Sequence, residues 1–323
     1  MQDKVFKYFK QVLEDYAFIE FTSEYIKKSG KINFMQGIPV PVKKEDLAKF
    51  ADEGEFKFDV FAEAMVHIMG SDINFKYNDK YIQYMKVFNP KILNFIIKEG
   101  LDSAEEDLIM RAAIHLRAAL VMDPDSLDAV YNYARACRHL YEKSEDPEYV
   151  ADFKAEATLY FEYTVERHPG FAQAYYFLGY AYINANLYVK AQMTWDKFMR
   201  LSRNRKDKAE IKQRLLQIKR LVNFERGYTA VLAGKWKDGL FYLEPLADYD
   251  PNWWNLFFFL GVAYSRTGNT REALELFKRV IEIKPSQAQA MAEMAVCYED
   301  LGEKEMALKY RKKAELVAKQ QEE

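Results

Sequence analysis

Displacing the sequence by 34 positions against itself places Gly227 on Gly261, Gly234 on Gly268 and then on Gly302, Pro251 on Pro285, and Ala273 on Ala307. A spacing of this length marks a chain of stacked supersecondary units, none of which buries its apolar face alone. The clearest unit is WNLFFFLGVAYSRTGNTREALELFKRVIEIKPSQ, residues 254–287. Phe257, Leu260, Gly261 and Tyr264 step by three, one and three, which is one face of a helix. Gly268-Asn269 ends that helix, and Asn269 with Glu272 three residues on predicts an N-cap for the next. Ala273, Phe277, Val280 and Ile281 form a second apolar stripe, and Pro285 stops it. Gly261 and Ala273 are small enough to let the two helices approach closely.

An aromatic residue at 257, then Leu260-Gly261, Tyr264, Gly268, Ala273, Phe277, Val280 and Pro285 together resemble the tetratricopeptide repeat (TPR). Leu178-Gly179 with Tyr182 repeats part of the pattern. The resemblance covers the last two-thirds of the chain and implies an all-α fold: a right-handed α-solenoid of TPR-like helical hairpins, with a helical N-terminal subdomain. It divides the chain into residues 1–100, the subdomain, and 101–323, the repeat array. Complete repeats are read at 127–160, 172–205, 220–253, 254–287 and 288–321. The first carries Ala134 in place of the family's Gly and the insertion YEKSEDPEYVADFK. The third has Asn223 and Arg226 where large apolar residues are expected, and its first helix is expected to continue from KDKAEIKQRLLQIKRL. Before 127, Ala112, Leu116, Ala119 and Pro124 stand at second-helix spacing, the trace of a sixth unit whose first helix is not placed. The last helix, KEMALKYRKKAELVAKQQEE, turns its charges outward, as the end of a solenoid requires.

The first hundred residues lack the period. Residues 3–28 read as one amphipathic helix. In SGKINFMQGIPVPVKKEDLAKF the Gly and two Pro break helix, and INFMQGIPVPV reads as a short edge hairpin. FKFDVFAEAMVHIMG and NPKILNFIIKEG read as short helices. Such a subdomain either caps the array or is a separate binding or dimerisation module.

Composition excludes more than it assigns. The net charge of −2 offers no overall basic field for nucleic acid. The longest charge-free apolar run, PNWWNLFFFLGVAY, falls short of the roughly 18–20 residues that span a bilayer, so no membrane insertion is expected. The N-terminus mixes acids and bases through its apolar residues, so no signal peptide is predicted. Cys137 and Cys297 sit in distant segments without a disulfide framework, in keeping with a cytoplasmic protein. His67, His115, His139 and His168 occupy four segments, without HExxH or paired cysteines. VLAGKWKDG lacks the earlier Gly and the following Ser or Thr of a phosphate loop. The expectation is a non-enzymatic chain with no metal and no cofactor.

In the family, the first helices of successive hairpins line a concave groove. Carried over position by position, the resemblance assigns to it Tyr131, Arg135 and Arg138; Tyr176, Tyr180 and Asn184; Phe224 and Tyr228; and Asn255, Phe258 and Arg266. Phe259 falls on neither face. Tyr, Phe and Arg are the residue types that carry binding hot spots. The carboxylate clamp that some members close on chaperone tails is not reproduced, since Tyr131, Arg135, Tyr176 and Tyr180 stand at its positions; chaperone carboxylate tails are therefore disfavoured. The leading expectation is a protein- or peptide-binding scaffold or adaptor. The alternative is a peptide-responsive regulator whose groove ligand alters engagement of a target by the N-terminal part.

Overall fold

The computed structural model describes residues 3–47 and 58–322. Among them the fold is all-α, with one small antiparallel sheet of two strands. The chain divides into two compact units, Met1–Ala185 with Arg200–Ser202, and Asn186–Met199 with Arg203–Glu323.

The first unit runs α1 (Phe6–Leu13), β1 (Tyr16–Ile19), α2 (Ser23–Ser29), a 3-10 turn (Asn33–Met35), β2 (Val40–Lys43), α3 (Phe58–Ser71), α4 (Asn78–Phe88) and α5 (Ile92–Glu105). It continues with α6 (Ile109–Met122), α7 (Leu127–Glu142), α8 (Pro147–Arg167) and α9 (Ala172–Asn184). The single helix expected over 3–28 is three elements. The chain leaves α1 at Leu13 and pairs as β1, and Thr22 starts α2 by accepting a hydrogen bond from the Tyr25 N–H at 3.2 Å. The edge hairpin expected in INFMQGIPVPV is also corrected. Its strand forms, but β2 pairs with β1, from Tyr16 opposite Lys43 to Ile19 opposite Val40. FKFDVFAEAMVHIMG forms α3 from Phe58 onward; Phe56 and Lys57 lie outside the described residues, as do 48–50 of the preceding segment.

Helix α3 meets α6 without room for a side chain at Gly70, where a Cβ would lie 2.0 Å from the Ile114 carbonyl oxygen. Helix α1 lies on α8. Tyr8 meets Tyr149 edge to face at 4.7 Å, its hydroxyl donates to Asp152 at 3.0 Å, and Phe9 meets Phe153 at 6.0 Å. The insertion before α8 supplies that helix's start: Asp146 accepts from the Glu148 and Tyr149 N–H groups, and Pro147 takes the first helical position.

The second unit runs α10 (Tyr188–Leu201), α11 (Arg205–Leu232), α12 (Trp236–Leu243), a 3-10 turn (Glu244–Leu246), α13 (Trp254–Arg266), α14 (Thr270–Ile283), α15 (Ala288–Asp300) and α16 (Lys304–Glu322). Leu243, Leu246, Leu256, Phe257, Leu260, Phe277, Val280, Met294 and Cys297 form one buried cluster. Helix α11 is continuous over 28 residues, as the inserted segment implied. At its irregular positions Arg226 donates to Gln192 Oε1 at 2.8 Å instead of packing as an apolar residue would. Asn269 stands at the N-cap of α14, but its side chain makes no capping hydrogen bond, contrary to expectation.

The 34-residue spacing has a geometric counterpart. A Cβ at Gly227 would lie 2.4 Å from the Leu243 side chain, and one at Gly261 would lie 2.7 Å from the Phe277 ring. In both hairpins a helix glycine receives the side chain sixteen residues on. The first unit repeats this relation: a Cβ at Gly100 would lie 3.0 Å from Leu116. The turn seven residues after each of these glycines holds a left-handed residue, Gly234 (φ 74°), Gly268 (φ 88°) and Asp107 (φ 65°). Helices α5 and α6 therefore form the sixth hairpin, and α5 is the first helix that the sequence left unplaced.

Candidate recognition site

Six of the groove residues lie in the first unit: Tyr131, Arg135 and Arg138 on α7, and Tyr176, Tyr180 and Asn184 on α9. Ser126 starts α7 by accepting from the Ala129 N–H at 3.5 Å, and steps of four then put Tyr131, Arg135 and His139 on one face. The half-buried Tyr131 ring meets Phe171 edge to face at 4.8 Å. Burial pushes its hydroxyl pKa up, against the opposing charges of Arg135 and Arg138. The Arg135 guanidinium sits 5.7 Å from the Tyr131 ring centre and donates to Asn132 Oδ1 at 3.2 Å. Arg138 lies 4.9 Å over Phe177 and pairs with Glu142 at 2.8 Å. On α9, Tyr176 and Tyr180 meet edge to face at 5.3 Å, and Asn184 is exposed.

A cleft of about 370 Å³ opens beside these side chains. Arg135, Arg138 and His139 of α7 line it with Phe177 of α9 and Leu101, Ala104 and Glu105 of α5. Helices α5 and α7 are the first helices of successive hairpins, and Ile109 and Leu116 of α6, a second helix, complete the lining. Tyr176, Tyr180 and Asn184 do not line the cleft. Phe177 does, although positional carry-over passed it by; its only sequence signal is its place in the aromatic run YYFLGYAY.

The other five residues lie in the second unit. Phe224 and Tyr228 of α11 are 5.4 Å apart, Phe224 meets Trp253 at 4.9 Å, and Tyr228 meets Phe259 at 5.5 Å. Phe258 contacts Phe259 at 5.5 Å and reaches the core ring Phe277 at 6.0 Å. Phe259, which fell on neither face, therefore joins the aromatic cluster. Asn255 Oδ1 accepts from the Leu256 N–H at 3.1 Å, and Arg266 pairs with Glu293 at 3.0 Å. Val231 of α11 is buried and would meet a Cβ at Gly239 at 2.5 Å.

Two of the four histidines, read as isolated, meet in the first unit. Glu63 and His67 stand one turn apart on α3, and His115 faces them from α6. The imidazole centres are 5.2 Å apart and perpendicular. His67 Nε2 is 3.1 Å from Glu63 Oε1, and His115 Nε2 is 3.4 Å from Glu63 Oε2. Nδ1 of His67 lies 2.5 Å from the Tyr16 hydroxyl, and Nδ1 of His115 lies 3.0 Å from the Arg111 carbonyl. Arg111 Nη2 is 3.1 Å from Glu63 Oε1. Burial lowers the His67 pKa and would raise that of Glu63. For Glu63, contacts with His115 and His67 outweigh burial, so its carboxyl stays ionised well below the usual range. The sequence signal for this cluster was Glu and His four apart on one predicted helix. Its third member comes from a helix that only the fold brings near.

Residues 255–287 match the tetratricopeptide repeat family model. No curated protein matches the chain. Solved structures with similarity include MamA 41-end from Desulfovibrio magneticus RS-1, at 16% identity over 59% of this chain and 97% of that one, TM-score 0.37. Another is YrrB, described as a TPR protein with an unusual peptide-binding site, at 21% identity over 62% and 91%, TM-score 0.34. A third is the P58(IPK) TPR domain, at 15% identity over 69% and 60%, TM-score 0.37. Such scores support no inference about ligand or geometry, so the assignment stands on the matched repeat and the hairpins described above. Among the described residues no helix is long and apolar enough to cross a membrane. The matched unit, residues 255–287, is therefore a tetratricopeptide repeat, set in an all-α chain of helical hairpins.

Proposed function

We propose that the chain is a non-catalytic adaptor that binds an extended protein segment through the first helices of its hairpins. The observation that carries this reading is the cleft beside α5, α7 and α9, where Arg135, Arg138 and His139 stand next to the Phe177 ring. Guanidinium groups over aromatic faces bind a carboxylate on one side while the ring buries apolar surface on the other. A segment with an acidic residue and an apolar neighbour fits this lining. Neither a chaperone carboxylate tail nor nucleic acid matches it as well, and a reducing cytoplasm is the compartment we assign.

Replacing Arg135 and Arg138 together by Ala is expected to weaken capture of the partner, most strongly at low salt, because exposed charge contacts are screened as salt rises. Tyr180 stands outside the cleft lining and beside Tyr176, so a bound segment that runs on along α9 makes Tyr180→Ala cost about 2 kcal/mol of binding with little change in melting temperature. Pull-down and thermal denaturation of the same variants check both. A Tyr180→Ala protein that melts early yet captures its partner in full would place the tyrosine in the packing and not in recognition.

A further inference from the structure

We propose that Glu63, His67 and His115 bind a divalent first-row transition-metal ion of the zinc class, pinning α3 to the first repeat hairpin. The three side chains offer one carboxylate oxygen and two imidazole nitrogens, all within 4.8 Å of one another. Tetrahedral zinc with bonds of about 2.0–2.1 Å holds its ligand atoms roughly 3.3 Å apart. The 3.4 Å from Glu63 Oε2 to His115 Nε2 fits that spacing, and His67 Nε2 stands 3.1 Å from the other oxygen of the same carboxylate, Oε1.

Hydrogen bonding around the rings argues for an ion rather than for a closed internal network. Both nitrogens of His115 face oxygen acceptors, the Arg111 carbonyl and Glu63 Oε2. A neutral imidazole has one N–H, so one of those contacts sets acceptor against acceptor unless the ring carries a second proton or a metal cation stands at Nε2. His67 Nε2 is buried and makes no hydrogen bond of acceptable geometry, although Glu63 lies beside it. A metal ion at the common point satisfies both Nε2 lone pairs. The Nδ1 atoms are then free to donate, His115 to the Arg111 carbonyl and His67 to the Tyr16 hydroxyl, the outer contacts that orient metal-bound imidazoles.

Arg111 opposes a cation by charge. Its Nη2 sits on Glu63 Oε1, which leaves Oε2 for the ion. A cavity of about 220 Å³, lined by Glu63, His115, Asp59 and Glu99, gives an approach and room for a water as fourth ligand.

The test is titration of chelator-stripped, tag-free full chain with cobalt(II) chloride, followed by zinc chloride. The expected result is one cobalt per chain with the visible bands of tetrahedral cobalt, displaced by zinc, and a rise in melting temperature. Glu63→Gln, at a partly exposed position, and His67→Gln should each weaken cobalt binding at least about tenfold. Circular dichroism of the metal-free variants establishes that they are folded. Absence of the cobalt bands in the unaltered protein overturns the proposal, as does undiminished affinity in Glu63→Gln. The cluster would then be a carboxylate neutralised by Arg111 and holding two histidines.

Discussion

Replacing Phe277 by Ala is expected to destabilise the second unit by about 3–5 kcal/mol, the usual cost of removing a fully buried ring. The ring is wholly inaccessible and fills the space that Gly261 leaves open. Gly261→Ala is expected to cost about 1–3 kcal/mol, because its Cβ would stand 2.7 Å from a ring carbon. In the double variant the obstructing ring is gone, and the second substitution should cost much less than it does alone. Chemical denaturation followed by helix signal and tryptophan fluorescence measures all four proteins. A coupling of about 0.5–3 kcal/mol supports the glycine-to-ring contact as the unit of repeat packing, whereas additive costs would remove it.

That contact also shows why the repeats were legible. At Gly261 and Gly227 both the glycine and its partner sixteen residues on keep the expected character, so spacing alone reveals the hairpin. At α5 the glycine is present, but Gly100 read as the end of NPKILNFIIKEG when it is in fact the close-packed middle of a helix. The turn seven residues on is held by Asp107 in place of glycine, which removed the second marker. The N-terminal region failed for another reason. Apolar residues over 3–28 fit a helical face, but Tyr16 to Ile19 satisfy a strand equally well, and only β2, more than twenty residues on, decides between them.

The candidate sites divide along the same line. Positional carry-over found Arg135 and Arg138 because they sit on a regular helix of a recognisable unit. It passed over Phe177 and Phe259, whose direction depends on how neighbouring rings share space. The histidine pair lay beyond any local pattern. Glu63 and His67 share one helix turn, but nothing in sequence ties them to His115 before α3 docks on α6 at Gly70.

Arg117→Met is expected to cost about 3–5 kcal/mol, because it breaks a buried ion pair from one side. Arg117 is 2% exposed, pairs with Asp3, lies 4.3 Å over the Phe9 ring and reaches the Tyr133 hydroxyl at 3.5 Å. The Tyr133 hydroxyl in turn donates to Glu156 at 3.0 Å. One guanidinium thus ties the N-terminal segment to α6 and α7. Met keeps much of the length and apolar stem but leaves Asp3 without its cation. Replacing both partners, Asp3→Asn with Arg117→Met, should recover part of the loss, since no unpaired charge then remains. The loss should also depend on pH. Burial pushes the Glu156 carboxyl above its usual range, while the Tyr133 hydroxyl and Arg117 restrain it. Without Arg117 the folded carboxyl holds its proton more tightly still than the unfolded chain does. A group raised in this sense favours the folded state as pH falls and opposes it as pH rises. The gap between Arg117→Met and the unaltered protein should therefore narrow on going from about pH 7 toward about pH 5. Urea denaturation of both proteins across that interval measures it, and a gap that stays constant or widens toward acid would show that Arg117 does not restrain Glu156.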